Sequence, residues 1–328
     1  MPIMLMKKIW IAGTFLIMIV IPLSCGGTKK ANKPTDWWNE GRDSQKINTA
    51  GWEDSPYLTP DGKKLYFMYT PYNFFPMFLG GQPQKVGPDR SGHVNSYNGN
   101  PWLDSDTYVC ERNADGTWSV PKNCAFNKHY GDACGMPGRD GKAFYYLTQT
   151  KPQPVEPNLH IVEKQADGSW GMPRDLGLGK ERAYRDDNPH ISLDEKTIWF
   201  ASSRPGGHGK RDLWVSKKNE DGTWDKAENM GPAINTEADE DQIWISKDGL
   251  TAFFNRDIHI YWSEKVNDKW QTAELVDFGT EIMTAEASLT DDMQTMVYML
   301  VDPDKKDIFV VMSTRQGNNK WSSPKRLD

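Results

Sequence analysis

The chain has 328 residues, 39 basic against 45 acidic, and a formal charge of −6 at neutral pH. That balance argues against a nucleic-acid partner and against a broad electrostatic grip on anionic lipid. Only 37% of the residues are hydrophobic, yet 14 Trp, 12 Tyr and 28 Gly are present, which suits short half-buried strands joined by many turns.

Lys7 and Lys8 precede an apolar run over residues 9–23. The run is short for a bilayer span and has the length of a secretory core. It ends at Leu23-Ser24-Cys25-Gly26-Gly27, which resembles a bacterial lipoprotein signal. The resemblance implies loss of residues 1–24 and lipidation of Cys25; an uncleaved anchor is the alternative, and either leaves the chain exported and tethered. Residues 25–46 are polar, with Lys29, Lys30, Lys33 and Pro34, and read as a flexible tether. No acidic cluster follows Cys25, which points to an outer-membrane lipoprotein facing the periplasm.

From residue 47 to residue 328 one pattern is written five times: an acidic residue, a turn, an aromatic strand, an Asp- or Asn-led strand, then a tryptophan. The tryptophans are Trp118, Trp170, Trp224, Trp270 and Trp321, at spacings of 52, 54, 46 and 51 residues. A period of roughly 40–50 residues with four strand signals is the signature of a β-propeller blade. The third copy is the clearest. Residues 186–192 read as its inner strand, 197–201 as the second, 212–215 as the third, and Asp221-Gly222 as the hairpin before Trp224. Single blades cannot bury their own faces, so the series makes one domain. The expected fold is all-β, a five-bladed propeller of four-stranded antiparallel blades.

Ser192-Leu193-Asp194, the run from Ile198 to Gly207 and Asp212-Leu213-Trp214 resemble the WD40-like PD40 repeat of TolB-type propellers and of Bacteroidetes envelope proteins. Thr59-Pro60-Asp61-Gly62-Lys63-Lys64-Leu65-Tyr66-Phe67 matches it as well. The second and fifth copies depart from it at Gly138-Arg139-Asp140 and Thr290-Asp291-Asp292. The resemblance implies a propeller in an envelope setting and leaves activity open, because such propellers scaffold, bind or catalyse.

Acidic residues head the inner strands: Glu53-Asp54, Asp132, Asp186-Asp187, Glu240-Asp241 and, one or two positions displaced, Glu286. Inner strands surround the axis, so these carboxylates are expected to converge at one mouth, with His190 close by. Two readings stay open. Copying alone puts one acid in each repeat, where it satisfies backbone N–H groups. A ring of acids also suits a binding site, a divalent cation such as Ca2+, or acid–base catalysis. No Cys-x-x-Cys zinc spacing, phosphate loop or dinucleotide fingerprint is present, so no organic cofactor is expected.

Between Phe67 and Asp106 the first copy carries a long insertion holding Tyr72, Phe74, Phe75, Phe78, His93, Tyr97 and Trp102. Its place in the blade puts it on the acidic face, where Phe75 and Trp102 are expected to rim the mouth for a sugar ring; packing onto the blade is the plainer alternative. With Cys25 lipidated, Cys110, Cys124 and Cys134 allow one bridge, and Cys124 and Cys134 are the expected pair.

Two functions fit. One is a monomeric, lipid-anchored module that binds an envelope protein or glycan through an acidic, aromatic-rimmed axial face. The other is a five-bladed glycoside hydrolase using Asp54, Asp132 and Asp187 or Glu240.

Overall fold

The computed structural model describes residues 45–94, 101, 103–128, 131–149, 158–178 and 184–327. The repeats become five antiparallel sheets, one per copy, each running from an inner strand outward in chain order. The inner strands are Trp52–Leu58, Asp132–Pro137, Asp186–Ile191, Glu240–Ile245 and Met283–Leu289. Each packs beside the inner strands of its neighbours, and the last returns against the first. The fold is a five-bladed β-propeller. The signal segment, Cys25, Tyr97 and Trp102 lie outside the described residues.

The turn after each inner strand is built from one device. Asp61, Asp140, Asp194, Asp248 and Asp292 each accept the backbone N–H two residues on. In four of the five a Ser or Thr two residues before donates its hydroxyl to the same carboxylate. The next position turns left-handed, and Gly62, Gly141 and Gly249 take it without strain, while Glu195 and Met293 occupy it in the degenerate copies.

The repeated tryptophans lie on the hairpins leading to the outer strands. Each pairs across its hairpin with a basic residue: Arg112 with Trp118, Lys164 with Trp170, Lys218 with Trp224, Lys265 with Trp270, and Arg315 with Trp321. In all five the cation rests over the indole at 5.1–6.0 Å from a ring centroid. The ring covers apolar core on one face and meets a solvated charge on the other.

Among the described residues no outer strand is exchanged between the two ends of the chain. Blade one is tied to blade five by Ser55 and Leu58 N–H groups on Glu286 and Ser288, by Asp291 N–H on Pro60 O, and by Asn48, whose Nδ2 donates to Val310 O at 3.1 Å and whose Oδ1 accepts Val310 N–H at 2.7 Å. Asn127 and Asn235 make the same two bonds to Thr107 and Leu213 of the preceding blades. The chain therefore joins blade one to blade five with the staple it uses between neighbouring blades.

The expected Cys124–Cys134 bridge is not formed, and all three described cysteines are free buried thiols. Cys124 belongs to an aromatic cluster with Phe126, Phe144 and Tyr146. Cys134 sits on the inner strand, where its sulfur accepts the Ser55 hydroxyl at 3.1 Å.

Candidate functional site

The acids at the heads of the inner strands divide into two tiers. Glu53, Asp132, Asp186 and Glu240 form the first, with Thr284 in the fifth blade. All four are buried and bonded within the protein. Glu53 accepts the Thr49 N–H at 3.0 Å and hydroxyl at 2.6 Å, and Glu240 accepts the same pair from Thr236. Asp132 accepts Lys128 N–H and the Thr148 hydroxyl. Three of the four also face an arginine at the end of the second strand or in the connection after it: Arg90 for Glu53, Arg204 for Asp186 and Arg256 for Glu240. Each guanidinium lies over an aromatic ring, 4.4 Å from Tyr69, 4.7 Å from Phe200 and 4.5 Å from Tyr261. This tier fastens the inter-blade connection to the blade. Asp132 lacks the arginine, and burial raises its carboxyl to about 7.

Asp54, Asp187 and Asp241 stand one residue further on, with Ala133 and Ala285 in the other blades. The residue after them is left-handed in every blade: Ser55, Cys134, Asn188, Gln242 and Glu286, with φ between 26° and 59°. All five inner strands break register across that residue, most narrowly in the fourth blade, between Asp241 and Ile243. Non-glycine residues adopt this conformation at a cost, and the aspartates offset it. Asp54, Asp187 and Asp241 each accept the N–H of the residue that follows, at 3.0, 2.9 and 2.8 Å.

These bulges gather charge around the axis. Arg211 spans Asp239, at 2.8 Å, and Asp241, at 2.6 Å, while Arg185 reaches Asp187 at 2.8 Å. Asn188 Nδ2 donates to Asp241 across the blade boundary at 2.7 Å. On the opposite side Asp54 and Glu286 face each other without an arginine, and Ser55 N–H donates to Glu286 Oε2 at 2.6 Å. Burial raises both carboxyls, and Asp54 raises Glu286 further. Together they retain a proton well above the ordinary carboxylate range. Glu286 was legible as displaced in the sequence; it occupies the bulge position itself.

Beyond this layer lies a small axial cavity of about 20 Å³, room for about one water molecule. It is lined by the bulge residues Ser55, Cys134, Asn188 and Gln242 and by the residues that follow them, including Tyr57, Met136, His190 and Trp244. None of the carboxylates of either tier lines it. His190 spends Nε2 on Ile245 O at 3.1 Å, packs against Trp199 and Trp244, and is held neutral by burial, its pKa lowered to about 4.

The described residues of the insertion do not line this cavity. Phe74 and Phe75 are about 1% exposed, and Phe74 meets Trp52 edge-on at 5.7 Å. Phe75 is thus a core residue, correcting its expected place at the mouth. His93 is fixed between Asp104, at 2.8 Å, and Asp106, at 3.3 Å. Gly87 backs onto Gly51 so closely that a Cβ on Gly87 would come within 2.6 Å of Gly51 Cα. The insertion packs onto blade one and delivers Arg90 to Glu53. The aromatic walls of the cavity come from the inner strands.

The geometry can be set beside solved structures. A thermostable family-43 glycoside hydrolase aligns at 11% identity with a TM-score of 0.53, over 85% of this chain and 96% of its own. TolB from Acinetobacter baumannii aligns at 15% identity and 0.44, over 83% of this chain and 68% of its own. A periplasmic gluconolactonase from Pseudomonas aeruginosa aligns at 11% and 0.41, over 85% and 86%. At these identities the likeness is one of fold. No protein-family model matches the chain, and no curated protein matches it.

Proposed function

We propose that this chain is an exported, lipid-anchored binding propeller that engages an envelope protein or glycan through the axial face on which this small cavity opens. The observation behind this reading is the fate of the four candidate catalytic carboxylates. Asp54, Asp132, Asp187 and Glu240 are at most 3% exposed, are bonded within the protein, and do not line the cavity. A glycosidase needs two carboxyls facing the scissile bond, with room for water or a sugar between them. The cavity offers aromatic and amide groups instead, the equipment of a binding site. Cys25 supplies the anchor and residues 25–46 the tether.

The test pairs calorimetric titration of envelope extracts and a glycan panel with a hydrolysis assay on the same panel. Saturable binding that weakens in Trp244→Ala, with no turnover, is the expected result. Turnover that disappears in Asp132→Asn would overturn the reading in favour of a glycoside hydrolase. Labelling with a radioactive fatty acid, lost in Cys25→Ser, checks the anchor.

A further inference from the structure

Two of the connections between blades match bond for bond. Between blades one and two, Asn127 is bonded to Thr107 N–H and C=O, Asn123 Nδ2 donates to Asp106 at 2.6 Å, and Lys128 N–H donates to Asp132 at 2.5 Å. Between blades three and four, Asn235 is bonded to Leu213 in the same way, Asn229 Nδ2 donates to Asp212 at 2.6 Å, and Thr236 N–H donates to Glu240 at 3.0 Å.

The match ends at the charge that answers the acid. Glu240 faces Arg256 at 2.8 Å, whereas among the described residues no arginine or lysine forms an ion pair with Asp132. Asp132 meets the Thr148 hydroxyl instead, at 2.7 Å, and a hydroxyl accepts as readily as it donates. A neutral carboxyl satisfies both neighbours: its carbonyl oxygen accepts the Lys128 N–H, and its own O–H donates to Thr148 Oγ1. An ionised carboxyl stays buried there without a counter-charge, which is the costlier state.

The surroundings push the same way. Burial, with the like charge of Asp106 behind it, raises the Asp132 carboxyl to about 7, and the Lys128 charge opposes this only in part. Cys124 on the connection and Tyr146 on the second strand are the other ionisable groups that sense it, and burial keeps both neutral.

We propose that the connection at residues 123–128 is a proton-held latch, fastened while Asp132 is a neutral acid and loosened when Asp132 ionises, whereas the connection at residues 229–236, fastened by Arg256, does not respond. The latch needs no ligand and stands apart from the binding reading. A carboxyl raised in the folded state contributes fully below its unfolded value, near 3.8, and loses that contribution as pH climbs toward the folded value. The window therefore runs from about pH 4 to 7, at up to about tenfold in the opening equilibrium per pH unit.

Hydrogen exchange on the full chain at about pH 5 and about pH 7.5, corrected for the intrinsic rate, tests the latch without any variant. Protection at Thr107 and Lys128 is expected to fall at least about tenfold, and at Leu213 and Thr236 by less than about threefold. Asp132→Asn keeps the hydrogen bonds of the neutral acid and should abolish the fall, leaving protection high at both pH values. Arg256→Met should confer a fall on Leu213 and Thr236. His129 follows Lys128 in the chain, and His129→Gln should leave the fall intact. An equal change at both connections, or none at either, would overturn the latch. A fall that survives in Asp132→Asn or vanishes in His129→Gln would also overturn it, by assigning the response to another group. Indifference to pH in Arg256→Met would overturn the part given to the arginine.

Discussion

The Asn48 staple between blades one and five makes a sharp prediction. Asn48→Ala deletes both bonds to Val310. Val310 is fully buried, and its carbonyl keeps a second donor, Leu327 N–H at 3.4 Å, whereas its N–H is left with none. One lost hydrogen bond costs about 1 kcal/mol and one orphaned buried donor about 1–3, so the variant should lose roughly 2–4 kcal/mol. Urea unfolding measures this as a lower midpoint at unchanged slope. Hydrogen exchange adds the location: protection should fall at Val310 and its strand neighbours in blade five and at the start of blade one. Blades two and three should hold. The same substitution at Asn235 removes an equivalent pair of bonds inside the circle and serves as the control. A loss below about 0.5 kcal/mol for Asn48→Ala, or a loss of protection spread evenly over all blades, would refute closure at this point.

Other outcomes follow from the charged layer and the thiols. Glu286 is raised in the folded state, so it stabilises fully below its unfolded value near 4.5 and loses that contribution as pH climbs toward the folded value. Between pH 5 and 8 the urea midpoint of the native chain should fall more steeply than that of Glu286→Gln; parallel curves would contradict the pairing with Asp54. Arg211→Ala uncovers Asp239 and Asp241 and should cost about 3–5 kcal/mol in urea unfolding. Removing the exposed pair Arg174 with Glu163 should change the midpoint by less than about 1 kcal/mol. Cys110, Cys124 and Cys134 should resist a thiol reagent in the native state and react in urea, burial having pushed the Cys110 thiol up to about 12. A reductant should leave the melting temperature unchanged, and a drop would restore the bridge.

Blade number and turn chemistry were legible because they depend on residue types that recur: Asp with Gly at the first turn, Trp on the outer hairpin. The sorting of the acids was not. It depends on a left-handed residue whose identity changes in every blade, from Ser55 and Cys134 to Asn188, Gln242 and Glu286. Side-chain type carries no common signal there, so all the acids appeared to face one mouth. A readable signal did exist for the closing staple, since Ile47-Asn48-Thr49 and Ile234-Asn235-Thr236 stand at the same distance before Glu53 and Glu240. The arginines had a weaker one: Arg185 and Arg211 each directly precede an aspartate that opens a strand. Phe75 misled because aromatic composition in a long insertion does not separate a ligand wall from a residue that seals the insertion to its blade.

The position of Asn48 also sets a direction. The chain joins the circle where the inner strands begin, on the side of the insertion, whereas the cavity lies toward the ends of those strands, past the salt-bridged layer. Whatever precedes residue 45 therefore meets the disc at the heads of the inner strands, and the salt-bridged layer stands between it and the hollow.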